Sequence, residues 1–245
     1  MVVKRIAILV SVALYSLVAA AQFSDSVHHY IGYATTGVIN KTNDGSSYVL
    51  TNSLKFNINK KSVRLNSTNN WIYGEQQQRL INNDFTSTLD FNLYKTFPHF
   101  YYWGLANYDK SYSLKIINRL QSGLGVAYNV VEKENAWLNL SDGILYETSN
   151  LRINDSSTQI VKTLRNSFRL RYRFVINEVV IFDGLHFFQN SLSDKNDYII
   201  KLSGNLTFKI RKWLGLTTSA TYNRNQRTDR ENLLITFGLT ADKYF

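Results

Sequence analysis

Cysteine is absent from the 245-residue chain, so neither a disulfide nor a thiolate-ligated metal can hold it together. Proline occurs once, at Pro98, which leaves long stretches free to donate every backbone N–H to a sheet. Helical spacing of apolar residues is scarce, and no long apolar run follows residue 21. Blocks of five or six like charges are also missing, which argues against a nucleic-acid partner despite a formal net charge of +10. The four histidines, His28, His29, His99 and His186, lack the carboxylate or histidine spacing of a zinc site. No cofactor is expected. Asn43-Asp44-Gly45 reads as a turn rather than a calcium loop. Gly123 and Gly125 precede no helix, so they read as strand residues that make room for neighbours rather than as a phosphate cradle.

What is present begins with Lys4-Arg5, followed by an apolar run over residues 6–21 that finishes on Ala19, Ala20 and Ala21. That pattern predicts a secretory signal peptide over residues 1–21, cut before Gln22, and a single domain over 22–245. With no cysteine after the run, a lipoprotein anchor is excluded. Cleavage would remove two cations and no acid, leaving a dispersed positive surplus.

The remainder is rich in Thr, Ser, Asn, Tyr and Phe and alternates with period two. The last segment sets Leu233, Ile235, Phe237, Leu239, Ala241 and Phe245 on one face. Twelve strands are expected near 28–39, 47–58, 62–73, 84–95, 99–109, 119–130, 136–147, 162–174, 179–189, 197–210, 213–223 and 231–245. Tyr48, Leu50, Leu54, Phe56 and Ile58 oppose Thr51, Ser53, Lys55 and Asn57. Phe85, Leu89, Phe91 and Leu93 oppose Asp84, Thr86, Thr88, Asp90 and Asn92, and the tenth segment alternates in the same way. Short connections (59–61, 96–98, 131–135, 175–178, 211–212) alternate with longer polar ones (40–46, 74–83, 110–118, 148–161, 190–196, 224–230).

These features predict an all-β fold, an antiparallel transmembrane outer-membrane β-barrel of about twelve strands, with both mature termini at the periplasmic side. Trp71, Tyr73, Tyr101, Trp103, Trp137, Trp213 and Tyr244 are expected in interfacial girdles. Asp142 and Asp183 fall on or beside apolar faces, and the pattern does not account for them.

The residues with most chemistry are Arg165, Arg169, Arg171 and Arg173, on one face of the eighth segment opposite Leu164, Phe168, Leu170, Tyr172 and Phe174. Lys55, Arg64, Lys201 and Lys209 join them on inward positions, against few inward acids such as Asp90 and Asp242. A basic lumen of this kind attracts phosphate, carboxylate or sulfate groups. The same arginines could instead pair with carboxylates and fill a closed interior. An enzyme is not expected, because no histidine stands in a recognisable nucleophile setting; a lipid hydrolase is the enzymatic alternative.

Residues 187–198, Phe-Phe-Gln-Asn-Ser-Leu-Ser-Asp-Lys-Asn-Asp-Tyr, are followed by an alternating strand and the turn Arg211-Lys212-Trp213-Leu214-Gly215-Leu216. This stretch resembles the YdiY-like salt-induced outer-membrane protein family (domain of unknown function 481), although many members carry Pro where this chain has Asn190. The resemblance implies an outer-membrane barrel and supplies no catalytic residue, cofactor or ligand. The terminal aromatic resembles a barrel-assembly signal, here Gly238, Tyr244 and Phe245. The partners expected are therefore the outer-membrane bilayer with its lipopolysaccharide and, during biogenesis, the barrel-assembly machinery. The role expected is a small anion-permeating pore, or alternatively a non-pore scaffold that binds lipopolysaccharide or another envelope protein.

Overall fold

The computed structural model describes residues 29–42, 45–60, 62–154 and 156–244. The expected signal peptide, His28, Asn43-Asp44 and Phe245 lie outside the described residues. Twelve strands follow in order: β1 (His29–Thr42), β2 (Gly45–Lys60), β3 (Val63–Gln76), β4 (Arg79–Phe97), β5 (Phe100–Ser111), β6 (Ile116–Glu132), β7 (Ala136–Arg152), β8 (Thr158–Ile176), β9 (Val180–Ser191), β10 (Tyr198–Lys209), β11 (Leu214–Asn225) and β12 (Arg230–Tyr244). Each pairs antiparallel with its sequence neighbours, and β1 pairs with β12, so the sheet closes on itself. Closure leaves no unpaired strand edge, which an acyl-chain environment requires.

The closing seam is tight. Tyr30 to Gly37 of β1 pair with Tyr244 to Phe237 of β12. Inside the barrel, Thr36 and Thr236 hydroxyls bond at 2.6 Å and the Tyr30 hydroxyl donates to Asp242 at 3.0 Å. A Cβ at Gly238 would run into the Thr35 carbonyl oxygen and come within 2.5 Å of the Thr36 Cα. Only glycine lets β1 approach there.

Alternation sorts the two faces as expected on the regular strands. Leu50, Leu54 and Phe56 of β2, Phe85, Leu89 and Phe91 of β4, and Leu233, Ile235, Phe237 and Leu239 of β12 are exposed on the outer wall. Between them Asp90, Asn92 and Thr236 are buried inside. Such a band of apolar side chains is stable only against acyl chains, so this is a membrane barrel of the bacterial outer membrane.

Strands run longer than their patterns predicted, mainly at the outer end. The polar stretch 74–83, expected as a loop, is mostly hairpin: Glu75 and Gln76 pair with Leu80 and Arg79 across a two-residue turn at Gln77-Gln78. Both turn residues hold positive φ, 49° and 61°, as the right-handed twist of a tight hairpin demands. Asn177-Glu178, with φ of 50° and 58°, make the same turn at the end that carries the chain termini. Polar composition suggested loops there because strands that rise above the bilayer have no apolar face to reveal them.

Three aromatics expected in the interfacial girdle face the lumen instead. Tyr101 and Trp103 on β5 are 4% exposed and pack with Leu105, Ala127 and Leu145 inside the wall. Trp137 shares the inward face of β7 with Asn139 and Ser141. Because β5 and β7 carry apolar side chains on both faces, period two cannot tell lipid from lumen there. Trp71 does lie on the outer wall, donating its indole N–H to Asn83, and the Tyr73 ring lies 5.9 Å from it, tilted by 53°. Trp213 sits in the turn between β10 and β11, and nothing is described of the Tyr244 side chain.

Candidate functional site

The lumen holds the charged residues, and its two halves differ. Along β4 to β9 the inward side chains are packed almost dry: Arg119, Gln121, Glu147, Arg165 and Gln189 are each 1–2% exposed and Asn139 is fully buried. Along β2 the Thr51 hydroxyl is buried without a partner, whereas the inward Ser53, Lys55 and Asn57 are only partly buried, as are Thr68 and Asn70 of β3 and Ser219, Thr221 and Asn223 of β11. Their outward neighbours face lipid, so the water that reaches them comes from inside. One wall is filled and the opposite wall is wet.

In the filled half each buried cation has an acid. Arg165 donates from Nε to Glu147 at 2.7 Å and from Nη2 to both Asp197 oxygens at 2.9 Å. Arg169 donates to Asp90 at 2.6 Å and to the Ser141 hydroxyl at 2.9 Å, with its guanidinium 5.1 Å above the Trp103 ring. Arg119 and Lys201 share Asp109 at 2.6 and 2.8 Å. Outside the filled half, Lys209 of β10 donates to Asp242 of β12 at 2.5 Å. Burying these charges is tolerable because each is paired and amides add hydrogen bonds: Gln121, for example, bridges Glu147 and Gln189 at 2.7 and 2.9 Å. The Arg119 Nη1 is left without a hydrogen-bond partner.

Trp103 can lie flat on the wall because Gly125 and Gly143 present bare backbone. A Cβ at either would come within 2.5 Å of the same indole carbon. The indole N–H then reaches the Val126 carbonyl at 3.1 Å. The reading of Gly125 as a residue that makes room for a neighbour therefore fits the structure.

All eight basic positions expected inside take inward places, but they do not form one unpaired cluster. Arg165, Arg169, Lys201 and Lys209 are held in ion pairs. Arg171 lies 5.4 Å above the Trp137 ring, Arg173 is exposed at the end that carries the chain termini, and Lys55 and Arg64 lie on the wet wall. Among the described residues, no carboxylate lies within ion-pair distance of Lys55, Arg171 or Arg173. Asp109, Glu147 and Asp197 were missed as inward acids. The first two were placed at the last residue of their expected strands, and Asp197 is carried inward by the turn before β10. Asp183 also faces in, accepting from Asn205 at 3.2 Å. Asp142 faces lipid, where Asn166 donates to it at 2.8 Å.

The outer mouth is spanned by a strap. Residues 112–115, between β5 and β6, stand half a circumference from the β11–β12 turn. Thr228 nevertheless donates to the Leu114 carbonyl at 3.0 Å, and Asn232 donates to the Ser113 hydroxyl at 3.1 Å. Asp84 anchors the strap through the Ser113 amide and the hydroxyls of Ser111 and Ser113, at 2.7–3.0 Å. Below it, Leu114, Ile116, Leu151 and Val161 form an apolar cap. Arg227, one residue from Thr228, reaches Asp197 at 2.7 Å and ties the β11–β12 turn to the buried ion pairs.

Solved structures share this architecture. The NanC porin superposes with a TM-score of 0.55 at 9% identity, covering 86% of this chain and 99% of that one. The COG4313 outer membrane channel from Pseudomonas putida F1 gives 0.51 at 11% identity, covering 94% and 100%. At such identities the likeness is one of fold. No curated protein matches the sequence. Residues 31–242 match one family across nearly the whole barrel, and the chain belongs to that family, the proteins of unknown function DUF481.

Proposed function

We propose that the barrel is a narrow channel for small anions, with its water path along the wet wall of β1–β3 and β10–β12. The observation that carries this reading is the partly exposed inward face of β2, where Lys55 stands among Ser53, Asn57 and Thr68 and forms no ion pair among the described residues. Arg171 and Arg173 add positive potential at the periplasmic end, and a low-dielectric wall focuses such a field. Hydroxyls and amides along the path exchange hydrogen bonds with a partly dehydrated solute. The paired arginines of the filled half act as wall rather than as binding sites, and the strap limits entry from outside.

Reconstitution in planar bilayers tests the reading. Under a salt gradient the reversal potential is expected to report anion preference. Lys55→Glu and Arg173→Glu should each move it toward cations. Thr228→Ala with Asn232→Ala should raise conductance by freeing the strap. Absence of current even with the strap cut would refute the channel. That outcome would favour a non-conducting scaffold of the envelope, a reading to which the dry half of the lumen lends itself. We assign no hydrolytic role. His99 faces Glu132 at the periplasmic rim, His186 faces lipid beside Tyr172, and no serine hydroxyl bonds either one among the described residues.

A further inference from the structure

The outer wall carries a cleft of about 400 Å³, at the external end of β7 and β8 beneath the β9–β10 turn, lined by Tyr146, Lys162, Thr163, Leu164, Leu192 and Ser193. Its position relative to the bilayer follows from the outward residues of each strand. On β7 they change from Ile144 and Tyr146 to Thr148, Asn150 and Arg152, and on β6 from Leu120 to Asn118; on β8 Phe168 and Leu164 give way to Lys162, with Ile160 exposed one row further out. Tyr146 pairs with Leu164 and Thr148 with Lys162 in register. On β6 and β7 the apolar boundary therefore passes between these two rows. Lys162 stands one row above it, at the depth of lipid phosphates, while Tyr146, Leu164 and Leu192, each about half-exposed, form an apolar floor below.

We propose that this cleft binds the phosphorylated glucosamine end of lipid A, the lipid anchor of lipopolysaccharide, with the Lys162 ammonium on a phosphate and the first carbons of an acyl chain on the apolar floor. Three features favour that occupant. The cleft is at the end of the barrel away from the chain termini, where the outer leaflet lies. Its single charged group is a cation, with no carboxylate in the lining. The Ser193 hydroxyl at the rim, bonded to Thr163 at 3.2 Å, offers hydrogen bonds to a sugar. A compact ammonium meets phosphate as a point charge, and an amphipathic ring beside it suits the interface. The site is on the outside of the wall and does not depend on whether the lumen conducts.

The full-length barrel in detergent micelles can be offered bisphosphorylated lipid A, phosphatase-treated lipid A, phosphatidylglycerol or inorganic phosphate, with retention read by native mass spectrometry. Retention of bisphosphorylated lipid A is expected, with about tenfold weaker binding for Lys162→Gln, the loss of one charge-assisted contact. Binding should survive in Lys162→Arg and in Lys133→Gln at the opposite rim. Lys162 is exposed on the wall, so these variants leave the core untouched. Equal retention by Lys162→Gln, or of dephosphorylated lipid A, would overturn the assignment. Full competition by inorganic phosphate would reassign the site to a free anion, and equal retention of phosphatidylglycerol would reduce it to a general interfacial contact; either result refutes lipid A as the occupant.

Discussion

Replacing Arg165 by methionine tests whether the charged wall is structural. The guanidinium, Glu147 and Asp197 side chains are each 1% exposed. Besides the bonds to both acids, Nη1 donates to the Asp197 backbone carbonyl at 3.2 Å. Methionine fills most of the volume and leaves both acids behind. Asp197 keeps Arg227 at 2.7 Å, whereas Glu147 keeps hydrogen bonds from Gln121 and the Ser149 hydroxyl, at 2.7 and 3.0 Å, and the nearby charge of Arg119. Removing one partner of a buried pair costs roughly 3–5 kcal/mol, and the retained Arg227 contact places this case toward the lower end. A loss of about 3 kcal/mol reduces the folded-to-unfolded ratio on the order of a hundredfold.

Urea titration of the barrel in lipid vesicles, followed by heat-modifiable gel migration, measures the loss. The slope against urea should be unchanged, because the same surface unfolds. Adding Glu147→Leu to the methionine variant removes the stranded acid and is expected to recover much of the loss, since an apolar replacement of a buried pair is often neutral. A single-variant loss under about 1 kcal/mol, with no recovery in the double variant, would mean that water screens these groups as it does surface pairs. The filled half would then be wet and the division of the lumen wrong.

Two further perturbations probe other parts of the wall. Gly125→Val places a branched side chain against Trp103 and should cost roughly 1–3 kcal/mol through overpacking, read in the same urea titration together with a shifted tryptophan emission; an unchanged barrel would show that the indole does not need bare backbone. Asp142→Leu with Asn166→Leu removes a hydrogen-bonded carboxylate and amide from the middle of an otherwise apolar outer row, and should stabilise the barrel in vesicles by about 1 kcal/mol or more. A loss of stability in that double variant would mean that the pair does not face acyl chains.

The sheet was legible in sequence wherever one face is lipid and the other is water or amide. On β2, β4 and β10 period two placed the outward and inward residues correctly, because a register slip would put Lys55, Asp90 or Lys201 in acyl chains. It was illegible on β5, β7 and β9. There the lumen is packed with Tyr101, Trp103, Leu105, Leu145, Ile181 and Phe187, so apolar residues occupy both faces. Asp142 and Asp183 looked alike in such strands, yet one faces lipid and the other the lumen. Only the pairing register, Asp183 opposite Arg173 and Asn205, separates them.

Site residues were legible by direction and not by partner. Parity along β8 sends Arg165, Arg169, Arg171 and Arg173 inward whatever they meet. What they meet depends on contacts far apart in the chain: Arg169 reaches Asp90 across 79 positions, and Lys201 reaches Asp109 across 92. Strand alternation carries no information at that range, so a surplus of inward cations read from one strand overstates the field in the lumen. The field that remains comes from cations held in no ion pair, and wall occupancy decides which those are. Large side chains on β5 and β7 bring Arg169 and Arg171 onto the rings of Trp103 and Trp137 in the filled half, whereas the small Ser53, Thr68 and Thr221 leave Lys55 in water. The same pattern of bulky and small inward residues thus sets both the dry packing that stabilises one side of the barrel and the wet, positively charged track proposed for the other.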